Sequence, residues 1–402
     1  MAIANKLSMS TEPSEARMPA WTIFLMACAC GLTIANIYYA QPLTRTIAPD
    51  VGLQPSLSSF IITLTQIGYC AGLLFLVPLG DRVEIRRLIL STLALASAAL
   101  FIAASAQTAF IFLGASLVIG VGSVAVQMII PMAMHLSPPA IRGSVVGSIT
   151  SGILTGIMLS RPLSGVVAHA FGWRAVFVGS GVAMLIQIAA LRVLLPQHRI
   201  ASTNSYSNLI SSLWGLLRDT PILRRRATYQ AALFAAYTLF WTSVPFLLTG
   251  PSYGLSPSAI ALFGLAAITG TIAAPLAGRM ADAGRARLAT GGAICAATAA
   301  FFFAWLAADG SVAMLVIGAV LLDIGVWSNL VLGQRAIALL GVAVRSRLNA
   351  LFMAIFFAGG AFGSACASIS FTAGGWNRVC QIGIAFSAIA LVAYLSELRR
   401  PA

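Results

Sequence analysis

Apolar segments long enough to cross a lipid bilayer recur twelve times along the chain. They lie near 18–43, 57–79, 87–106, 108–133, 141–168, 172–195, 226–249, 257–278, 288–307, 311–334, 345–371 and 377–396. A helix rises about 1.5 Å per residue and the hydrocarbon core is about 30 Å thick, so about twenty apolar residues make one crossing. Of 402 residues, 59% are hydrophobic and only 8% charged, against about 25% charged in an ordinary soluble domain. No single aqueous core could bury so many such segments. The chain therefore reads as an all-α membrane protein with twelve transmembrane helices, numbered here in that order.

A formal net charge of +14 could suggest nucleic acid, but its distribution points to the membrane. With the N-terminus inside, 20 of the 24 Lys and Arg fall on one face, and only Arg45, Arg174 and Arg378 fall on the other. Lys and Arg are enriched in cytoplasmic loops because they resist translocation. The expected placement is therefore multi-pass in the inner membrane with both termini cytoplasmic, a lipid partner and no nucleic acid. Residues 1–17 do not resemble a cleavable signal. Cys28, Cys30, Cys70, Cys295, Cys366 and Cys380 show no metal or thiol-exchange spacing and read as packing residues. No cofactor or metal is expected. His135, His169 and His198 are scattered singly, which argues against a membrane enzyme.

The largest polar interruption spans 196–225 and divides the chain into six-helix halves, 1–195 and 226–402. A shift of 203 residues carries Pro42 onto Pro245, Arg142 onto Arg345, Gly156 onto Gly359, Ser160 onto Gly363, Gly172 onto Gly375 and Trp173 onto Trp376. Such a register implies duplication. Two parallel six-helix repeats place a substrate site between them near the membrane midplane.

The loop after helix 2 carries Asp81, Arg82, Arg86 and Arg87, and its second copy carries Gly278, Asp282, Gly284 and Arg285. This resembles the signature loop of the major facilitator superfamily, although Val77 and Glu84 stand where the first copy should have glycine. A carboxylate at a helix end can bond neighbouring helix termini and arginines and latch one face shut. Helix 1 ends on Asn36, Tyr38, Tyr39, Gln41, Pro42 and Leu43, similar to the efflux, drug–proton antiporter-like branch of that superfamily. Asn36 and Tyr39 share one helix face and Tyr38 and Gln41 another. One pair is expected to face the central cavity and the other a neighbouring helix. Helix 5 carries small residues every fourth position, Ser144, Ser148, Gly152, Gly156, Ser160 and Ser164, and helix 11 repeats the theme at Gly359, Gly363 and Ala367. Such stripes let helices cross closely.

Asp323 in helix 10 and Arg161 in helix 5 interrupt their spans, at a cost of about 2.5–3.5 kcal/mol each by insertion scales unless paired or hydrated. Asp323 shares a helix face with Trp327 and Gln334. Arg161 lies in the outer third, where its long side chain is free to snorkel outward. Gln127 in helix 4 and Trp241 in helix 7 complete an expected polar–aromatic pathway with few charges, which disfavours a multiply charged substrate. The resemblance implies a monomeric, proton-coupled exporter of a small organic molecule working by alternating access. An uptake symporter or a non-transporting sensor of the same fold are the alternatives. One departure concerns helix 4, where Ser116 precedes Gly120 and Gly122 and the arginine usual in that branch is missing.

Overall fold

The structure is a computed structural model that describes residues 19–138, 141–196, 206–341 and 344–398. Lys6, Arg17, Arg199, Arg399 and Arg400 lie outside the described residues, as do the side chains of Asp81 and Arg345. Every regular element among the described residues is helical. Among the described residues nine apolar runs are long enough to cross a membrane, and the last, Arg347–Glu397, is two crossings in one. That run breaks where Gly374 and Gly375 leave helical geometry, Gly375 at φ 63°. At the matching position between the fifth and sixth crossings stands Gly172, at φ 82°. Both turns use the left-handed backbone that only glycine adopts without strain.

In chain order the membrane helices are α1 (Ala20–Ala35), α2 (Pro55–Gly80), α3 (Ile85–Ser105), α4 (Ala109–His135), α5 (Arg142–Phe171) and α6 (Trp173–Leu194). An amphipathic linker helix, Tyr206–Asp219, follows. Then come α7 (Pro221–Leu248), α8, α9 (Ala286–Leu306), α10 (Val312–Ala338), α11 (345–373) and α12 (376–398). α1 is shorter than expected: it stops at Ala35, and the chain continues through turns and a tight 3-10 segment, Gln41–Leu43, into a short helix, Thr44–Asp50. Pro42, which has no N–H to donate, sits in that tight segment. α8 is also interrupted, with helical pieces Pro257–Phe263 and Thr269–Asp282 joined by the 3-10 turn Gly264–Ile268. α1 and the broken α8 bring the crossings to twelve.

Within the first half α1 packs on α5, α2 on α4 and α3 on α6, and the second half repeats this as α7 on α11, α8 on α10 and α9 on α12. The halves meet along two seams, α2 against α11 and α5 against α8. Phe24, Phe75, Ile102, Val166, Ile186, Phe302, Phe362 and Val392 are exposed around the outside. So broad an apolar surface is stable only in lipid.

The small-residue stripes set the closest crossings. A Cβ on Gly152 would lie 2.4 Å from the Ala27 carbonyl oxygen, and one on Gly156 2.1 Å from that of Gly31. In the second half Gly359 and Gly363 approach Ala231 and Ala235 at 2.3 and 2.0 Å. By packing, Gly152 therefore corresponds to Gly359 and Gly156 to Gly363, one helical turn from the register expected of the sequence. A stripe with a period of four looks the same after a slip of four, so sequence matching could not detect the shift. Between α4 and α10 the shift of 203 holds at the contact glycines: a Cβ on Gly122 would lie 2.7 Å from the Thr92 carbonyl oxygen of α3 and one on Gly325 2.5 Å from that of Ala293 of α9, partners offset by 201. Ser144 and Ser148 lie on the exposed side of α5 and take no part in the crossing. Buried Ser160 turns its hydroxyl to its own helix, donating to the Ile157 carbonyl at 2.6 Å.

Candidate functional site

Arg161, Asp323 and Gln66 each lie ten or eleven residues from the end of their helix on the face opposite the arginine-rich loops, roughly 15 Å deep at 1.5 Å per residue. They share one layer at mid-membrane. On α5 the residues Leu159, Leu163 and Val166 face outward, so Ser160, Arg161 and Ser164 face inward and are buried. Arg161 therefore does not snorkel to the surface, contrary to the simpler expectation; the helix face that carries it is turned to the protein interior.

The guanidinium is held by both halves. Its Nε donates to Gln41 Oε1 at 2.9 Å, and Nη2 donates to the Tyr237 hydroxyl at 3.0 Å. Its carbon lies 4.3 Å from the Trp241 ring centroid, 5.5 Å from Tyr38 and 5.6 Å from Tyr237. Contacts of this kind offset part of the desolvation of a buried cation. Fully buried Asp323 accepts a bond from Trp327 Nε1, one turn away, at 3.1 Å. It lies within electrostatic reach of Arg161 and beside Trp241 and Tyr237. The Trp327 ring sits over Gly270 of α8, where a Cβ would come within 2.3 Å of it, and meets Tyr237 edge-on at 5.6 Å. α5 and the turn and 3-10 segment after α1 in one half, and α7 and α10 in the other, thus share one cluster.

Of the residues expected in the pathway, the structure brings Tyr38, Gln41, Arg161, Trp241, Asp323 and Trp327 together. Asn36 points elsewhere: Ser180 of α6 donates to its Oδ1 at 2.5 Å, and its Nδ2 contacts Met184 Sδ at 3.6 Å. The Tyr38–Gln41 face looks into the cluster and the Asn36 face packs on a neighbour. Tyr39 is buried in the apolar core. Gln127 donates to the Tyr69 hydroxyl at 3.2 Å, and the Tyr69 ring meets Phe357 of α11 at 4.3 Å. Gln334 lies eleven residues beyond Asp323 and bonds Asn349 of α11 at 3.4 Å, outside the cluster. Sequence reasoning missed Tyr237, Tyr69 and Gln66, neutral side chains inside apolar runs. The one signal for Tyr237 was its place one turn before Trp241.

The latch residues are placed differently from expectation. Arg86 donates to the Arg192 carbonyl at the end of α6. Arg87 pairs with Glu84 at 2.7 Å, and Arg82 is exposed. In the second copy Asp282 pairs with Arg335 of α10, and Arg335 also reaches the Gly278 carbonyl at 3.4 Å. Arg285 is not its partner: the turn at Gly284, φ 75°, carries it to an exposed position just before α9.

The seam of α2 and α11 is closed on the face opposite the arginine-rich loops. Ser59 and Ser368 share a hydrogen bond of 2.6 Å, Ser368 donates to the Ser56 carbonyl at 2.6 Å, and Thr63 and Ser364 share one of 2.9 Å. α5 meets α8 chiefly through Pro257–Phe263 and the 3-10 turn, on that same face. Toward the basic face much of α5 is exposed, and nothing lies within 4 Å of a Cβ on Gly143 or Gly147. The halves are bonded to each other on one face, and toward the other α5 stands exposed. No group of three or more potential metal ligands occurs among the described residues.

Twelve crossings in two like halves, with a buried charged cluster between them, define a polytopic transport protein. A profile of the Major Facilitator Superfamily matches residues 23–339, and the chain belongs to that superfamily. It is 39% identical to the uncharacterized transporter YgaY of Escherichia coli O157:H7, over 97% of this chain and 98% of that one. It is 35% identical to a probable transporter of Streptomyces coelicolor, over 89% and 83% respectively. Among solved structures the nucleoside transporter NupG superposes with a TM-score of 0.74 at 13% identity, covering 94% of this chain and 99% of that one. A D-xylose-proton symporter gives 0.73 at 15%, covering 94% and 97%. These last two likenesses establish the fold. Family and relatives together make the chain a membrane transporter and not an enzyme.

Proposed function

We propose that this chain is a proton-coupled secondary transporter that exports a small organic molecule across the inner membrane by alternating access. Both termini and the basic face lie in the cytoplasm, the side toward which α5 stands exposed is cytoplasmic, and the chain acts as a monomer. The supporting observation is that a buried arginine of one half and a buried carboxylate of the other meet at mid-membrane, joined through Tyr237 and Trp241. A charge at this depth is kept only for a purpose, because it is expensive. Protonation of Asp323 cancels its attraction for Arg161 across the seam, so the two halves separate at lower cost. Deprotonation restores the attraction. The proton gradient is thereby linked to which face is open, and Arg161 and Asp323 do what the missing helix 4 arginine does elsewhere in the branch. Export rests on the similarity of the helix 1 segment and the helix 5 stripe to the efflux branch.

The test is substrate-driven proton flux in proteoliposomes, with a substrate found by ligand-induced thermal stabilisation and orientation checked against inside-out vesicles. Asp323→Asn should reduce coupled flux at least tenfold while leaving substrate exchange without net proton movement. Unchanged coupled flux in that variant removes Asp323 from the mechanism.

A further inference from the structure

Three buried hydrogen-bond donors lie around one guanidinium without a well-formed bond: Arg161 Nη1, Gln41 Nε2 and Trp241 Nε1, the last turned toward the Asp323 carboxylate. The three residues are at most 3% exposed. Gln41 is tied to Arg161 through its other amide atom at 2.9 Å, and the Trp241 ring lies 4.3 Å from the guanidinium carbon, so the three residues form one patch. An unmet buried donor is costly, and more so when charged. Both bonds that Arg161 does make end on neutral oxygens, Gln41 Oε1 and the Tyr237 hydroxyl. Arg161 has no ion-pair partner among the described residues. The unpartnered acceptors of this layer are Asp323 Oδ2 and Gln66 Oε1, and neither meets Arg161 Nη1. The patch is walled by the rings of Tyr38, Tyr237, Trp241 and Trp327.

We propose that this patch binds a small monoanion: a carboxylate or comparable oxyanion on a flat, apolar frame. Its oxygens accept from Arg161 Nη1, Gln41 Nε2 and Trp241 Nε1, and its frame lies among the rings. A guanidinium edge with neighbouring donors matches the two oxygens of such a group. One guanidinium neutralises one negative charge, and a second would face Asp323. A cationic ligand would meet Arg161 with the wrong sign. The inference rests on reading this cluster as the transport site and adds the class of substrate.

The experiment is thermal unfolding of the purified full-length protein in detergent, at fixed pH and ionic strength, with matched sets of aromatic ligands. Each set is a carboxylate, its amide and its amine: benzoate, benzamide and benzylamine, with the naphthalene and indole homologues. Carboxylates should raise the melting temperature, and the amides and amines should not. Arg161→Gln should abolish the response. Trp241→Phe, which keeps a ring and deletes one donor, should weaken carboxylate binding about tenfold. Should Arg161→Gln fail to fold, the Trp241→Phe titration carries the test alone. Amines or amides stabilising as well as carboxylates would overturn the proposal. So would the absence of any carboxylate response, or a response untouched by the substitutions. The measurement involves no gradient, so it is separable from coupling: carboxylates that bind normally while Asp323→Asn leaves proton flux intact would remove the coupling and keep the substrate class.

Discussion

The two seams between the halves occupy equivalent places in the repeat and carry opposite chemistry. In the packing register of α5 and α11, Arg161 corresponds to Ser368, and at the shift of 203 residues Asp323 of α10 corresponds to Gly120 of α4. Ser368 belongs to a short ladder of hydroxyls with Ser59, Thr63 and Ser364 that closes the α2–α11 seam. Gly120 is so close to α2 that a Cβ would lie 1.9 Å from the Thr65 carbonyl oxygen. A carboxylate has no room there. At Asp323 the opposing helix is α8, interrupted by the 3-10 turn Gly264–Ile268, and Trp327 settles onto Gly270. The copies agree wherever helices must touch and differ where charge is housed. Duplication supplied the scaffold, and the proposed chemistry sits where the symmetry is broken.

If the scaffold is the symmetric part, damage to it should be equal in both halves. Gly156→Val and Gly363→Val each force a Cβ to within 2.1 and 2.0 Å of a backbone oxygen, so both should destabilise strongly, beyond the ~1–3 kcal/mol typical of overpacking. Size-exclusion profiles and melting temperatures in detergent would show it, and a large difference between the two would break the symmetry argument. A smaller effect should follow at the hydroxyl seam. Thr63→Val together with Ser368→Ala removes cross-seam bonds worth about 0.6 kcal/mol each on average in membrane proteins. The population open on the far face should rise several-fold. Labelling of Ser58→Cys, buried in this state, by an impermeant maleimide in a background without native cysteines would report it, and unaltered labelling would show the ladder is no gate.

The smallest effect belongs to the paired tryptophans. Trp173 Nε1 donates to the Asp50 carboxylate at 2.8 Å, whereas Trp376 Nε1 donates to the Ala304 carbonyl at 2.6 Å. The Trp173 bond, with help from Arg174, holds the Asp50 carboxyl below its ordinary value of 3.8. A depressed value means that the contribution is complete above about pH 4 and is lost as pH falls through the lower folded value. Asp50 is solvent-facing, so Asp50→Asn should cost less than about 1 kcal/mol. That loss should fade in acid, whereas no pH dependence should arise from the Trp376 bond. Melting temperatures from pH 3 to 7 would separate the two.

Much of this was legible in the residues. Asp323 and Arg161 stood out because charge inside a span is rare, and the helix 1 motif narrowed the inward face to one of two pairs. The choice of Tyr38 and Gln41 over Asn36 depended on where α6 lies. The partnership of Asp282 with Arg335 was hidden for a similar reason: Arg335 is more than fifty residues away along the chain, while Arg285 is three. Tyr237, Tyr69 and Gln66 carry no charge and interrupt no pattern, and apart from the place of Tyr237 one turn before Trp241 nothing local marks them; they become visible once α7 and α2 are seen lying along the seams.

Length, apolar period and arginine placement determine that this chain crosses the membrane twelve times in two like halves, because a bilayer imposes its thickness and its charge rule on any sequence. Which polar groups meet was decided by the tertiary structure. Helices related by a repeat can slip by a turn, break at a 3-10 segment or rotate to a different neighbour without altering any of those local signals. That freedom brings Arg161 to Gln41, Tyr237 and Trp241 and turns Asn36 away.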